Sequence, residues 1–404
     1  MRTFTGYAPI LTAVLSVALA GCQDPELSGD ESGGSTTGTA SEGGDGDDDP
    51  CAAGPIFPEC FGEPVEIRLP FLADGIYSPV FARDLDGDGH DEVMAGRMIV
   101  SDISGPEPDI AVVDFEGQFV RTGNIGGGDE RDILLWGDGP SLYVILDRDL
   151  SSIFEIEHGV TDLAAYGVHV LDADVDGDDD IIVSSDTGDS QLLRNDGEGV
   201  FTPWQALASC GMRNQFTSGT FPSMDTEVVL QACEYAGRLH DVALDGTGLS
   251  ELGPVDGWLA TAFPPERSLR DYGVDGVMLA THGGAILTAT SGIYVLDELG
   301  GMPYGYDGGY GNLLVETADI NGDGEPEFIS SFPALEVDDG VPRPTVVCGV
   351  ATRNLERCMR FEDAAGTLDV AGVDPGPGRP GGVVFLQNNP MRLVFVPYGT
   401  ATDG

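Results

Sequence analysis

The stretch Asp172 to Val183 (DADVDGDDDIIV) constrains this chain more than any other, because near-copies occur at Asp84 to Val93 (DLDGDGHDEV) and Asp319 to Phe328 (DINGDGEPEF). Each copy reads D-x-[D/N]-x-D-G-x-x-[D/E] and then enters a strand-like run. Alternate side-chain oxygens on a tight glycine turn converge on one point. That suits a hard cation taking ~6–8 oxygen ligands, such as calcium. Three copies make a repeat protein the first expectation.

Between the clear copies, the point where an acidic or glycine residue meets an apolar run recurs. It falls at Glu92-Val93, Asp132-Ile133, Asp180-Ile181, Glu227-Val228, Gly276-Val277, Glu327-Phe328 and Gly382-Val383. Intervals of about 40 to 55 residues match one four-stranded propeller blade. The degenerate copies (GGGDERDILLW, PSMDTEVVLQA, YGVDGVMLA, VDPGPGRPGGVVFLQ) keep the turn and strand but lose most oxygens. The expected fold is therefore all-β: a closed β-propeller over 64–404 with seven four-stranded blades. Spacing is least regular around Asn124 to Leu135, which leaves six or eight blades open. Period-two patterning and Asn/Asp/Gly turns favour strands over helices. The last unit is one strand short, and Pro64 to Leu72 has no unit of its own. It is expected to supply the missing outer strand, since exposed sheet edges invite aggregation.

The three acidic loops, with LLRNDGEGVFT after the second, resemble the calcium loops of FG-GAP/VCBS repeats, as in the head propeller of integrin alpha chains. The resemblance covers 64–404 in period and three of the seven units in ligands. It implies side-chain oxygens from loop positions 1, 3, 5 and 9 and a carbonyl from position 7. Carried over, the first site uses Asp84, Asp86, Asp88, the His90 carbonyl and Glu92. The second uses Asp172, Asp174, Asp176, the Asp178 carbonyl and Asp180. The third uses Asp319, Asn321, Asp323, the Glu325 carbonyl and Glu327. An EF-hand shares the opening but needs a Glu at position 12 and flanking helices. Position 12 here is Ala95, Val183 or Ser330. A solvated acidic turn without metal is the plain alternative, and it is the expectation for the degenerate copies.

The first residues read as an address. Arg2 precedes an apolar stretch from about Tyr7 to Ala20, a length that suits a signal peptide rather than a membrane span. Leu19-Ala20-Gly21-Cys22 resembles a bacterial lipobox, which implies removal of 1–21 and acylation of Cys22. Gln23 in the next position favours outer-membrane delivery. Residues 22–63 are read as the acylated cysteine and an acidic linker, 23–50 having almost no apolar side chains to bury. Six cysteines remain, and fifteen pairings are open. Pairing sequence neighbours gives Cys51–Cys60, Cys210–Cys233 and Cys348–Cys358. No C-x-x-C spacing supports zinc. Net charge is −51 and every one of the 18 basic residues is Arg. Such a chain lacks the basic footprint of a nucleic-acid binder. It is expected to be a monomer that meets the membrane only through its lipid.

No catalytic constellation emerges. His90, His158, His169, His240 and His282 form no paired-histidine motif. His169 sits where an inner strand could line the central channel, with a hydrogen-bonded structural role as the simpler expectation. Gly126-Gly127-Gly128 lacks the Walker lysine and reads as a turn. Two function classes stay open. One is a calcium-binding envelope propeller that binds another envelope protein or a glycan, acting in adhesion. The other is a propeller-scaffold enzyme acting on polysaccharide, for which Arg267 and Arg270 would have to line a groove.

Overall fold

Every strand start marked in the sequence is observed: Glu92–Ala95, Asp132–Gly137, Asp180–Ser185, Glu227–Ala232, Gly276–Thr281, Glu327–Ser331 and Gly382–Gln387. The computed structural model describes residues 51, 58–69, 79–105, 107–128, 130–137, 139–209, 214–220, 227–232, 237–243, 246–255, 267, 269–272, 276–281, 284–289, 292–295, 314–331, 345–349, 359–361, 367–387 and 391–399. Apart from two short 3-10 turns, Pro58–Cys60 and Leu269–Tyr272, their regular structure is all β. Among the described residues no helix is long and apolar enough to cross a membrane. The lipobox at Cys22, the tether, Cys210, Cys233, Cys358 and His282 lie outside them.

Among the described residues the strands form five four-stranded sheets and one seven-stranded sheet. All pairings are antiparallel. The unit with the least regular sequence spacing is complete, with Gly117–Gly123, Asp132–Gly137, Leu142–Ile145 and Ile153–Ile156 in order. In the seven-stranded sheet, four strands from Gln215 to Val255 meet three from Gly276 to Val295 through one residue pair, Thr220 with Gly276.

Strand alternation explains why these sheets stack. Along Gly382–Gln387, Val383 and Phe385 pack with Ala318, Ile329 and Val347 of the preceding sheet. Val384 and Leu386 point the other way and pack with Val80, Val93 and Val100 of the first sheet. Ile181 and Val183 likewise join Leu134 and Val144, whereas Ile182 joins Phe216 and Val229. Successive side chains of a strand face opposite sides. A strand buried on both faces therefore reads as a near-continuous apolar run, and the cores lie between sheets rather than in one centre. Burial fades toward the outer strands such as Ile153–Ile156, where Phe154 is 53% exposed. This is a β-propeller arrangement.

The stretch expected to complete the last sheet does so. Val65–Arg68 pairs with Arg392–Pro397, Val65 opposite Phe395 and Arg68 opposite Arg392. Order on this side begins before residue 64. Gly62 N–H donates to Pro397 O at 2.8 Å, Gly399 N–H donates to Cys60 O at 2.9 Å, and Phe61 bridges Tyr398. Cys51 and Cys60 form the expected disulfide, with Cα atoms 5.6 Å apart, and are buried against Tyr398 and Val396. Cys348 is also disulfide-bonded, to a cysteine outside the described residues.

Candidate metal centres

The three loops share one hydrogen-bond plan. The first aspartate accepts from the turn it precedes: Asp84 from Gly87 and Gly89 N–H, Asp172 from Asp176 and Gly177 N–H, Asp319 from Gly322, Asp323 and Gly324 N–H. The ninth-position carboxylate reaches back to the second-position amide. Leu85 N–H donates to Glu92 at 2.9 Å, Ala173 N–H to Asp180 at 3.0 Å and Ile320 N–H to Glu327 at 2.9 Å. Glu92, Asp180 and Glu327 are therefore structural pins as well as candidate ligands.

Glycine at the sixth position is required by its backbone, with φ +86° at Gly89, +101° at Gly177 and +86° at Gly324. The fourth position is left-handed too. Gly87 and Gly322 fill it at +72° and +77°, but Val175 fills it in the second loop at +61°. A β-branched residue rarely adopts that conformation.

Oxygens converge in two loops. Carboxylate atoms of Asp84, Asp86 and Glu92 lie within 4.8 Å of one another, as do those of Asp172, Asp174 and Asp180. Asp88 and Asp176 stand outside these groups, and their carboxylates accept His90 N–H and Asp178 N–H within the turn. The third loop differs. Asn321 turns its amide nitrogen toward Asp323 and Glu327, 3.3 Å from each.

Burial, opposed by the backbone bonds to the ninth position, raises Glu92 and Asp180 to about 7 and Glu327 to about 9. Asp174 is raised chiefly by burial and next by Asp176. Its side chain is 3% exposed, and neither oxygen has a hydrogen-bond partner. A buried polar atom without a partner is costly. The donor set of the first two loops is all oxygen and anionic, and at the point of convergence it holds a buried carboxylate with no hydrogen bond, paired only by charge with Arg194. These residues fit a hard divalent cation.

The two described degenerate loops, before Asp132 and Gly382, pack against the acidic ones. In the second unit Asp132 takes the ninth-position role, accepting from Ile125, Gly126 and Asp147 N–H. Its partner loop leans on the Asp172 loop. Asn124 N–H donates to Asp179 Oδ2 at 2.7 Å, Asp179 N–H donates to Asn124 O at 2.8 Å, and Asn195 Nδ2 donates to Ile125 O at 2.7 Å. In the last unit the Asp374–Arg379 turn fills the gap between the first and third loops. Gly376 faces the His90 ring with no room for a Cβ, and Gly322 is closed off by Pro375.

Asp91 and Asp179 are loop-joining residues that the ligand pattern missed. Both occupy the eighth position, and each accepts the first-position N–H of the preceding unit's loop, from Asp374 and Asn124, at 2.7 Å. An aspartate at the eighth position of two loops was the available signal.

No protein-family model matches the chain, and no curated protein matches it in sequence. Solved structures do match. A crystal structure of BBS1N in complex with ARL6DN superposes with a TM-score of 0.50 at 11% identity, covering 85% of this chain and 98% of that one. A second structure of that complex, soaked with lead where the first was soaked with mercury, gives 0.46, also at 11% identity, over 84% and 98%. At this identity the first match shows the propeller fold and nothing about chemistry.

The remaining histidines form no catalytic group among the described residues. His158 donates from Nε2 to Pro140 O at 2.6 Å and accepts Val160 N–H at Nδ1, which specifies one neutral tautomer. His240 pairs with Gln231. His169 is buried on the inner strand Leu163–Leu171, and its Nε2 has no hydrogen-bond partner. Gly126–Gly128 is the expected turn. Arg267 lines no open groove. It is buried, ion-paired to Asp91 and, at 3.2 Å, to Asp374.

Proposed function

We propose that this chain is a calcium-stabilised binding propeller of seven four-stranded units closed by Val65–Arg68, related to the FG-GAP/VCBS repeats. The reading divides the seven-stranded sheet at its one-pair junction, so that Gly276–Thr281 begins the second strand of its own unit, as Glu92, Asp132 and Asp180 do in theirs. The observation that carries the calcium reading is the convergence of Asp172, Asp174 and Asp180 around a buried Asp174 oxygen with no hydrogen-bond partner. The Asp84 loop repeats the arrangement. Three carboxylates about 4 Å apart repel by roughly 4 kcal/mol per pair at an effective dielectric near 20, and a divalent cation reverses the sign.

In this reading calcium is a structural staple. Extracellular calcium modules bind at about 0.1–1 mM, and tenfold saturation adds about 1.4 kcal/mol per site. Export and anchoring through Cys22 at the outer membrane would place the loops where calcium reaches that range. The propeller would then present its surface to an envelope protein or a glycan, in adhesion. The burial of Arg267 weighs against the alternative of an enzyme acting on anionic polysaccharide. The deciding experiment is equilibrium dialysis of the full chain against 45Ca. Uptake of two or three ions supports the reading, and no uptake at several millimolar calcium ends it.

A further inference from the structure

In each acidic loop, nitrogen donors sit on the oxygens at or beside the third position. In the first, the Arg148 guanidinium binds Asp86 Oδ2. In the second, Arg194 Nη2 lies 2.5 Å from Asp174 Oδ2 and 3.8 Å from Asp176 Oδ2. In the third, the residue is Asn321, which turns its own amide onto Asp323 and Glu327. The two loops whose third residue is an aspartate carry an arginine there, and the third-position asparagine supplies its own N–H.

The arginines reach these points by different routes. Arg148 belongs to the neighbouring unit, in a turn where Asp147 and Arg148 are both left-handed, at φ +48° and +53°. Two consecutive non-glycine residues in that region are strained. The turn is closed by Asp149 N–H to Leu146 O at 3.0 Å, and this places the guanidinium over the loop. Arg194 ends the strand Ser190–Arg194 and lies 5.7 Å from the Trp204 ring centre. Its side chain is half exposed, whereas that of Asp174 is 3% exposed.

The Arg194 contact is short without being a formed hydrogen bond, since neither Asp174 oxygen has one. A guanidinium can neutralise one or two carboxylates, but it cannot coordinate the whole ring of oxygens. A divalent cation at the convergence point would repel it.

We infer that Arg194, and Arg148 in the same way, is a built-in competitor of the divalent cation. Each holds the third-position aspartate in the metal-free chain and withdraws when the cation enters. The inference rests on the calcium reading above. Two consequences have opposite sign. The arginine steadies the metal-free fold by neutralising a carboxylate that is otherwise buried among like charges. It also raises the calcium concentration at which the loop fills.

The test is isothermal titration of the full chain with calcium chloride, with thermal melts in chelator, for wild type, Arg194→Met, Arg148→Met and Arg194→Lys. Methionine keeps an unbranched stem without the charge. Each methionine variant should tighten one site by roughly three- to tenfold, the scale of a partly exposed ion pair. Each should also melt lower than wild type in chelator. Arg194→Lys should stay within about twofold of wild type. Should wild type bind calcium while Arg194→Met binds with equal or weaker affinity, the competitor role is overturned. Tightening in Arg194→Lys equal to that in Arg194→Met would overturn it too, because charge would not be the cause. A wild-type chain that takes up no calcium brings down the calcium reading and the competition with it, and the wild-type titration alone separates that case from the others.

Discussion

Arg267 Nη1 lies 3.2 Å from Asp374 Oδ1, and the same oxygen accepts the Asp319 N–H at 2.7 Å. Asp374 N–H in turn donates to Asp91 Oδ2, and Arg267 also pairs with Asp91. Tyr272 O–H bonds the Asp374 carboxylate, and Thr317 Oγ1 donates to the Arg267 carbonyl at 2.7 Å. One buried arginine thus joins the Asp84 loop, the Asp374 turn and the Asp319 loop. Burial raises Asp374 to about 6 even though Arg267 opposes the shift. The guanidinium itself is held above its ordinary value by Asp91, Tyr272 and Asp374, against the pull of burial.

Removing that arginine strands two acids. Arg267→Met should cost about 3–5 kcal/mol in urea unfolding, the scale for breaking a buried ion pair from one side. Adding Asp374→Asn should recover part of the loss. A cost below about 1 kcal/mol for the single change would mean that the hub contributes little.

Val175 offers the reverse experiment. Because its φ of +61° matches the glycines of the other loops, Val175→Gly should stabilise the chain, by up to about 1 kcal/mol after the entropy of the unfolded glycine is set against the relieved strain. Gly177→Ala, at +101°, should cost about 1–2 kcal/mol. Urea midpoints that rank the two variants the other way would refute the strain argument.

Calcium should raise the melting temperature of wild type through the 0.1–1 mM range, at fixed ionic strength. Asp174→Ala should respond less. In chelator it should melt no lower than wild type, because it removes a buried carboxylate whose oxygens lack hydrogen bonds. Equal midpoints for wild type in chelator and in several millimolar calcium would show that the loops are not working sites.

Two buried groups set opposite pH dependences. Burial, opposed by N–H bonds from Val80 and Val370 and by Arg121, raises Asp369 to about 7. The folded chain then keeps a proton that the unfolded one releases from about pH 4. Its contribution to stability falls as pH rises through pH 4–7. Burial, then Arg121, lowers His169 to about 3. Between pH ~6.5 and 3 the unfolded chain takes up a proton that the folded one refuses, so stability falls as pH drops. Urea unfolding at pH 5, 6.5 and 8 should show His169→Leu gaining on wild type toward pH 5. Asp369→Asn should gain toward pH 8, each by on the order of 2 kcal/mol. Curves that stay parallel to wild type would reject the assignment.

Cys51–Cys60 closes a short loop, and replacing both cysteines by serine should cost about 2–3 kcal/mol. Peptide mapping without reductant should recover that linkage and show Cys348 oxidised.

Strand starts and the completing strand were legible because they leave periodic marks: an acid or glycine before an apolar run, and one strand too few in the last unit. The ninth-position acids were legible for the same reason. Arg267 was not, since its partners Asp91 and Asp374 lie 176 and 107 residues away and no spacing announces them. Arg148 meets Asp86 across 62 residues and escaped for the same cause. The inward turn of the Asn321 amide depends on side-chain orientation, which residue type does not convey.

Glu66 and Arg392 form an ion pair across the paired strands Val65–Arg68 and Arg392–Pro397, 326 residues apart. The first strand of the propeller to be made therefore waits for almost the last. At ~5–20 residues per second of synthesis that wait is roughly 16–65 s. Until then Val65–Arg68 has no native partner, and the sheet beginning at Thr367 has not been made. Folding of the final unit is timed by the ribosome, and any premature stop before Arg392 leaves Val65–Arg68 as an unpaired edge able to recruit a strand from another chain.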